Sequence, residues 1–177
     1  MNTKQIIIDS TYELVKMKSI EAITIQDILS HSHVARSTFY RYFRDKYDVM
    51  NWYYQAYVDN LLSQYEGIDW KSVMYRIIQF LFDDAVYFRK MLRYSSQITF
   101  WNFIYDYGYK FYESTILIQQ GRKNLTTDEK YILGSYCNGT VHILKQWITD
   151  GCNETVEYIT DLIYSLIPKE IENSLCH

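Results

Sequence analysis

One proline, six glycines and three cysteines are all that 177 residues contain of the types that most constrain a chain. The single proline is Pro168, so from Met1 to Ile167 no missing N–H or ring clash interrupts a helix. Cys137, Cys152 and Cys176 form an odd, sparse set without CxxC spacing, which excludes a disulfide framework and a thiolate zinc site. Neither a metal nor a cofactor is expected. No stretch reaches the roughly 18 uncharged apolar residues of a membrane span, and the opening MNTKQIIIDSTYE acquires acids where a signal peptide stays apolar. The expected location is the cytoplasm, away from the membrane.

What is present is a folding composition: 48% hydrophobic and 22% charged residues, enough for a buried core and too apolar for disorder. Net charge is −3, which alone points away from nucleic acid, but its distribution is uneven. Residues 1–50 carry seven Lys/Arg against six Asp/Glu, while 51–177 carry eleven against fifteen. Between Ala35 and Lys46 stand Arg36, Arg41, Arg44 and Lys46 against Asp45 alone, a basic patch of the kind that meets phosphates.

Apolar spacing predicts a first helix from Thr3 to about Met17, broken at Ser19. Thr24-Ile25-Gln26-Asp27 is a capping box that opens a short helix to about His31. A turn at Ser32-His33 follows, and Val34-Ala35-Arg36 restarts a helix with Phe39 and Phe43 on one side. Asp45 caps a longer helix to about Gln64. Beyond Gly67 the spacing predicts helices over 70–83, 85–94, 97–121, 127–150 and 154–167. Thr126-x-x-Glu129 caps one of them, and Gly151-Cys152-Asn153 stops one helix and caps the next, which Pro168 ends. The expected class is all-α: a three-helix head over 1–50 and a helical bundle body over 51–177.

Residues 24–43, TIQDILSHSHVARSTFYRYF, meet the requirements of a helix-turn-helix: a short helix, a tight turn, and a second helix whose N-terminal half offers small polar and basic groups. Ile25, Ile28, Leu29, Val34 and Phe39 supply buried contacts. Arg36 can pair bidentately with guanine, and the hydroxyls of Ser37, Thr38 and Tyr40 suit phosphate oxygens or base edges, with Tyr42 also outward. Lys46, in the first turn of the next helix, adds a phosphate contact.

The run ITIQDILSHSHVARSTFYRYFRDKYDVM resembles the DNA-binding signature of the TetR family of regulators, over about the first fifty residues. The resemblance implies that Gln26, Arg36, Ser37, Thr38, Tyr40, Tyr42 and Lys46 face DNA. Two departures stand out. His33 occupies the turn position usually held by Gly, where positive φ is costly, and Ala35 replaces a frequent Ser, which removes a cap.

The resemblance also implies a dimer through the last two helices. Leu133, Tyr136, Thr140, Leu144 and Trp147 fall on one face, and Val156, Ile159, Ile163 and Leu166 on the next; such stripes serve equally well as internal core. One recognition helix reads few base pairs, so the DNA reading favours a homodimer on a palindromic operator in double-stranded DNA. Nineteen tyrosines, many in the middle of the chain, suggest a small-molecule effector pocket lined by Trp101, Tyr105, Tyr109, Tyr112 and Trp147. Core packing is the alternative for each of them. The Gly139-Thr140…Trp147…Gly151 pattern is similar to Firmicute-type C-terminal domains that include regulators of dihydroxyacetone metabolism.

Catalysis finds no constellation. His31-x-His33 sits in the turn, Cys137 and His142 point to different sides of a helix, and Asp83-Asp84 diverge. The expected function is a sequence-specific transcriptional regulator, a repressor released by an effector. The alternative is a protein-interaction module or coactivator of the same fold without a ligand of its own.

Overall fold

The computed structural model describes residues 2–64, 69–92 and 100–175, and among these the chain forms ten α-helices and no strand. They are α1 (Thr3–Met17), α2 (Ile25–Ser32), α3 (Arg36–Tyr42), α4 (Lys46–Ser63), α5 (Trp70–Asp83), α6 (Ala85–Leu92), α7 (Phe100–Gln119), α8 (Thr127–Asp150), α9 (Val156–Ser165) and α10 (Lys169–Leu175). The all-α class is as expected. The expected end of α6 at Tyr94 and start of α7 at Gln97 lie outside the described residues, as does Cys176.

Most helices begin where a side chain can take orphan amides. Both capping boxes form: Thr24 with Asp27 at α2, and Thr126 with Glu129 at α8. Asp45 accepts from the amides of Tyr47 and Asp48. The ends of α8 and α9 depart from the expected pattern at Asn153 and at Pro168. Gly151 (φ 103°) and Cys152 (φ 57°) close α8, with the Cys152 amide on the Trp147 carbonyl at 2.8 Å. Asn153 donates to the Asp150 carbonyl and so does not cap α9; Thr155 does, accepting from the Tyr158 amide. Pro168 stands after α9, but its carbonyl also accepts from the amides of Ile171 and Glu172, so it opens α10. A proline at a helix start costs nothing, because the N–H it lacks would have had no intrahelical partner.

The described residues fall into two compact units. The first takes in 2–64 and the described part of 86–100. Within it α1 packs on α2 and α4, closing Ile7, Ile8, Val15, Ile28, Phe39, Phe43, Val49 and Met50 into one core. α6 joins this unit through Tyr87 and Phe88, both buried. The rings of Tyr12 (α1), Tyr53 (α4) and Tyr87 (α6) meet pairwise at 4.6, 5.4 and 5.0 Å. At about 1.5–3 kcal/mol per fully buried large apolar side chain, α6 is a stable part of this unit.

The second unit takes in 69–85 and 101–175. Its framework is α5 on α9 and α9 on α8, over Val73, Ile78, Leu81, Leu133, Leu144, Ile148, Ile159 and Ile163. Among the described residues no helix is long and apolar enough to cross a membrane, and no cluster of His, Cys, Asp or Glu could hold a metal ion.

Candidate nucleic-acid interface

The head is set locally. The Asp27 carboxylate accepts the Thr24 amide at 2.8 Å and the Lys18 ammonium at 3.1 Å. These contacts, the Thr24 amide first, hold its pKa down at about 2. After α2, His33 takes the left-handed conformation (φ 54°, ψ 31°) that turns the chain into α3. Ala35 occupies the N-cap of α3 with no side-chain cap hydrogen bond. The helix is held from beneath instead: Phe39 and Phe43 are fully buried, with ring centroids 5.9 Å apart.

That anchoring turns the other side of α2–α3 outward. Gln26, Arg36, Ser37 and Tyr40 are exposed, while Thr38 and Tyr42 are half-buried. Arg36 Nη2 donates to Gln26 Oε1 at 3.2 Å, joining the exposed faces of the two helices. Arg41 lies over the Tyr42 ring at 5.0 Å and donates to its hydroxyl at 3.4 Å. The result is a surface of hydroxyls and guanidinium groups with a rigid apolar floor, suited to phosphate oxygens and base edges. Lys46, the remaining residue of the expected set, is placed differently. Its ammonium sits on the carbonyls of Ile20 (2.7 Å), Ile23 (2.6 Å) and Glu21 (3.4 Å), which occupy its three N–H donors.

The five residues expected to line an effector pocket are spread over separate contacts. Tyr105 and Tyr109 pair along α7, at 6.0 Å between ring centroids. Tyr112 is buried edge-to-face against Trp70 (5.6 Å) and Tyr136 (5.6 Å). Trp147 stacks on Phe82 at 5.9 Å and donates its indole N–H to the Glu154 carbonyl at 3.0 Å. Trp101 is buried. A groove of about 530 Å³ opens instead on α8 and the α9–α10 junction, lined by Tyr131, Ile132, Ser135, Tyr136, Gly139, Thr140, Leu166 and Pro168. None of the five lines it.

Of the residues expected at a dimer interface, Leu133, Tyr136, Leu144, Val156, Ile159 and Ile163 are closed within the single chain; Leu166 alone is exposed. That stripe has cover within the chain: Tyr136 meets Tyr112 of α7, and Trp147 meets Phe82 of α5. Burial pushes the Tyr136 hydroxyl and the Cys137 thiol each up to about 12, so neither ionises near neutral pH.

Sequence reasoning missed Lys90. From α6 its ammonium reaches the carbonyls of Val15 (2.6 Å), Lys16 (3.0 Å) and Lys18 (3.2 Å) at the end of α1. A lysine in a last helical turn reads as solvated, and its backbone partners lie more than seventy residues away, beyond any local pattern.

Residues 69–169 match the family described as a transcriptional regulator C-terminal region (TetR_C_8), and residues 7–51 match that of bacterial regulatory proteins, tetR family. The chain is 24% identical over 92 residues to the HTH-type dhaKLM operon transcriptional activator DhaS of Lactococcus lactis subsp. lactis (strain IL1403). That match covers 50% of this chain and 48% of the relative, so it spans about half of the relative's length. Among solved structures, a dihydroxyacetone kinase operon activator DhaS superposes with TM-score 0.66 at 18% identity, over 98% of this chain and 96% of that one. The fatty acid degradation regulator FadR from Bacillus halodurans gives 0.52 at 18%, over 92% and 96%. A TetR-family regulator from Syntrophomonas wolfei gives 0.52 at 17%, over 92% and 91%. These relatives are transcriptional regulators, not enzymes, and with a family match covering more than half of its length this chain belongs to the TetR family of transcriptional regulators.

Proposed function

We propose that the protein binds duplex DNA in the cytoplasm through the outward face of α2–α3 and regulates transcription there. The observation that carries this reading is the Arg36–Gln26 pair. It presents a guanidinium fork from the N-terminal half of a buried-backed second helix, where a helix-turn-helix places its base-reading groups. Ser37, Thr38, Tyr40 and Tyr42 add hydroxyls around it. Selection of duplexes from a random pool, followed by binding of the recovered sequence at several salt concentrations, tests it.

The protein is further proposed to act as a homodimer on a palindromic operator. The second copy would sit on the outer side of α8 and α9, where Tyr131 (75% exposed) and Leu166 (51%) line the groove and Tyr158 (57%) on α9 leaves further apolar surface open. Gly139 in that groove has open space where a Cβ would stand, so another helix can approach closely.

Control by repression, released when the tyrosine-rich body takes a small-molecule effector, is the first reading of its action. Activation is the second, favoured by the similarity to the dhaKLM operon transcriptional activator DhaS. The packing of Tyr112 and Trp147 among their neighbours favours a body that meets a partner protein without a ligand of its own. A reporter joined to the selected operator, compared with and without the gene, separates repression from activation.

A further inference from the structure

The connection between α1 and α2 is gripped from two sides. On one side Lys90 of α6 sits on the carbonyls of Val15, Lys16 and Lys18. Two of these belong to the last turn of α1, whose carbonyls have no intrahelical donors. On the other side Lys46 of α4 sits on those of Ile20, Glu21 and Ile23. Between them the Leu14 carbonyl takes the Lys18 amide and the Ser19 carbonyl takes the Ala22 amide. Almost every carbonyl from Leu14 to Ile23 therefore has a partner, and two ammonium groups provide most of them.

The placement is informative in both cases. Lys90 brings a cation to the C-terminal end of α1, where the helix dipole favours it. Lys46 stands in the first turn of α4, where its own helix dipole disfavours a cation, so its position is explained by the carbonyls it reaches and not by its helix. The segment they grip leads directly into the Thr24–Asp27 cap of α2 and on to Gln26, which holds Arg36. Lys18, whose carbonyl Lys90 takes, also gives its side chain to Asp27.

We propose that Lys46 and Lys90 form a clamp that positions the reading helices, and that Lys46 acts through the backbone of 20–23 and not on a DNA phosphate. The clamp rests on the DNA-binding reading above for its consequence, but not for its existence. Lys46→Met and Lys90→Met keep the aliphatic stems and remove the donors; Lys46→Arg and Lys90→Arg keep the charge.

Two measurements on the full chain decide it. Amide hydrogen exchange without DNA, with folding checked by circular dichroism, should show protection over 14–28 falling roughly tenfold in each Met variant and recovering in part in the Arg variants. Unchanged protection in both Met variants would overturn the clamp. Binding to the duplex recovered by the parent should weaken roughly tenfold in each Met variant, with the same slope of log affinity against log salt as the parent. A slope smaller by about one for Lys46→Met would make it a phosphate contact and overturn the proposal for that residue. Failure of the parent to bind duplex DNA would sink the functional reading, while hydrogen exchange would still judge the clamp.

Discussion

Arg36 and Gln26 are joined across the two helices of the turn motif, Nη2 to Oε1 at 3.2 Å, and Gln26 Nε2 in turn faces Ser30 Oγ at 3.4 Å. The guanidinium is thereby oriented before it meets any partner, which reduces the entropy lost on binding. Arg36→Ala should cost about 1–3 kcal/mol against the preferred duplex and relax the preference at one base pair. Gln26→Ala should cost less, and the double variant should fall short of the sum, because the two share one contact. Competition binding with single-base variants of the selected duplex checks this, and full additivity would contradict it.

His33 holds the turn at φ 54°, a conformation glycine adopts freely. Relief of left-handed strain is worth about 1–2 kcal/mol, and the added freedom of an unfolded glycine takes back about 0.4–1. His33→Gly should therefore stabilise the protein by about 0.5–1 kcal/mol, and the β-branched His33→Val should destabilise it. Urea midpoints measure both. A destabilising glycine would show that the imidazole contributes more than its backbone costs.

The proposed homodimer assigns folding and association to different faces of α8 and α9. Leu144 is 4% exposed and Ile163 1%, so Leu144→Glu or Ile163→Glu buries an unpaired carboxylate inside one chain and should unfold it. Tyr131→Glu with Leu166→Glu alters only exposed positions and should leave helicity intact while producing a monomer by light scattering. A parent already monomeric at working concentration would remove the dimer.

Much of the fold was legible because its signals are local. Thr24 with Asp27 and Thr126 with Glu129 each act within one turn of helix and open α2 and α8, while the bounds of α1 and α5 follow from the spacing of apolar residues. The interface could not be read in the same way. A stripe such as Leu133–Tyr136–Leu144 records that one face is covered, not whether its cover comes from the same chain or from a second one. Lys46 was legible as a cation in a basic patch, but its partners are backbone carbonyls 23–26 residues earlier, which no side-chain pattern announces. The same holds for the crowded aromatics of α7. Composition locates them, while pairings such as Tyr112 with Trp70 and Tyr136 depend on helix placement.

Acid should loosen both capping boxes. Asp27, held by the Thr24 amide first, titrates at about 2 instead of 3.8, and Glu129, held by Arg122 first, at about 2 instead of 4.5. A folded pKa below the unfolded one stabilises the native state above the unfolded value, and that contribution is lost as pH falls through the folded value. Stability should therefore decline from about pH 4.5 towards 2. Asp27→Asn and Glu129→Gln should each lower stability at neutral pH and flatten this decline, as followed by helicity at 222 nm. Since both carboxylates are partly solvated, the effect of each is expected to be modest.

The central claim is that the α2–α3 face binds duplex DNA, and its most direct test is the affinity of the unmodified protein for the duplex it selects, measured from about 50 to 200 mM salt. The account predicts a linear fall of log affinity with log salt, at about 0.9 for each phosphate neutralised, with Arg36→Ala binding all sequences more nearly alike. Affinity indifferent to salt, or unchanged in every respect by Arg36→Ala, would contradict it.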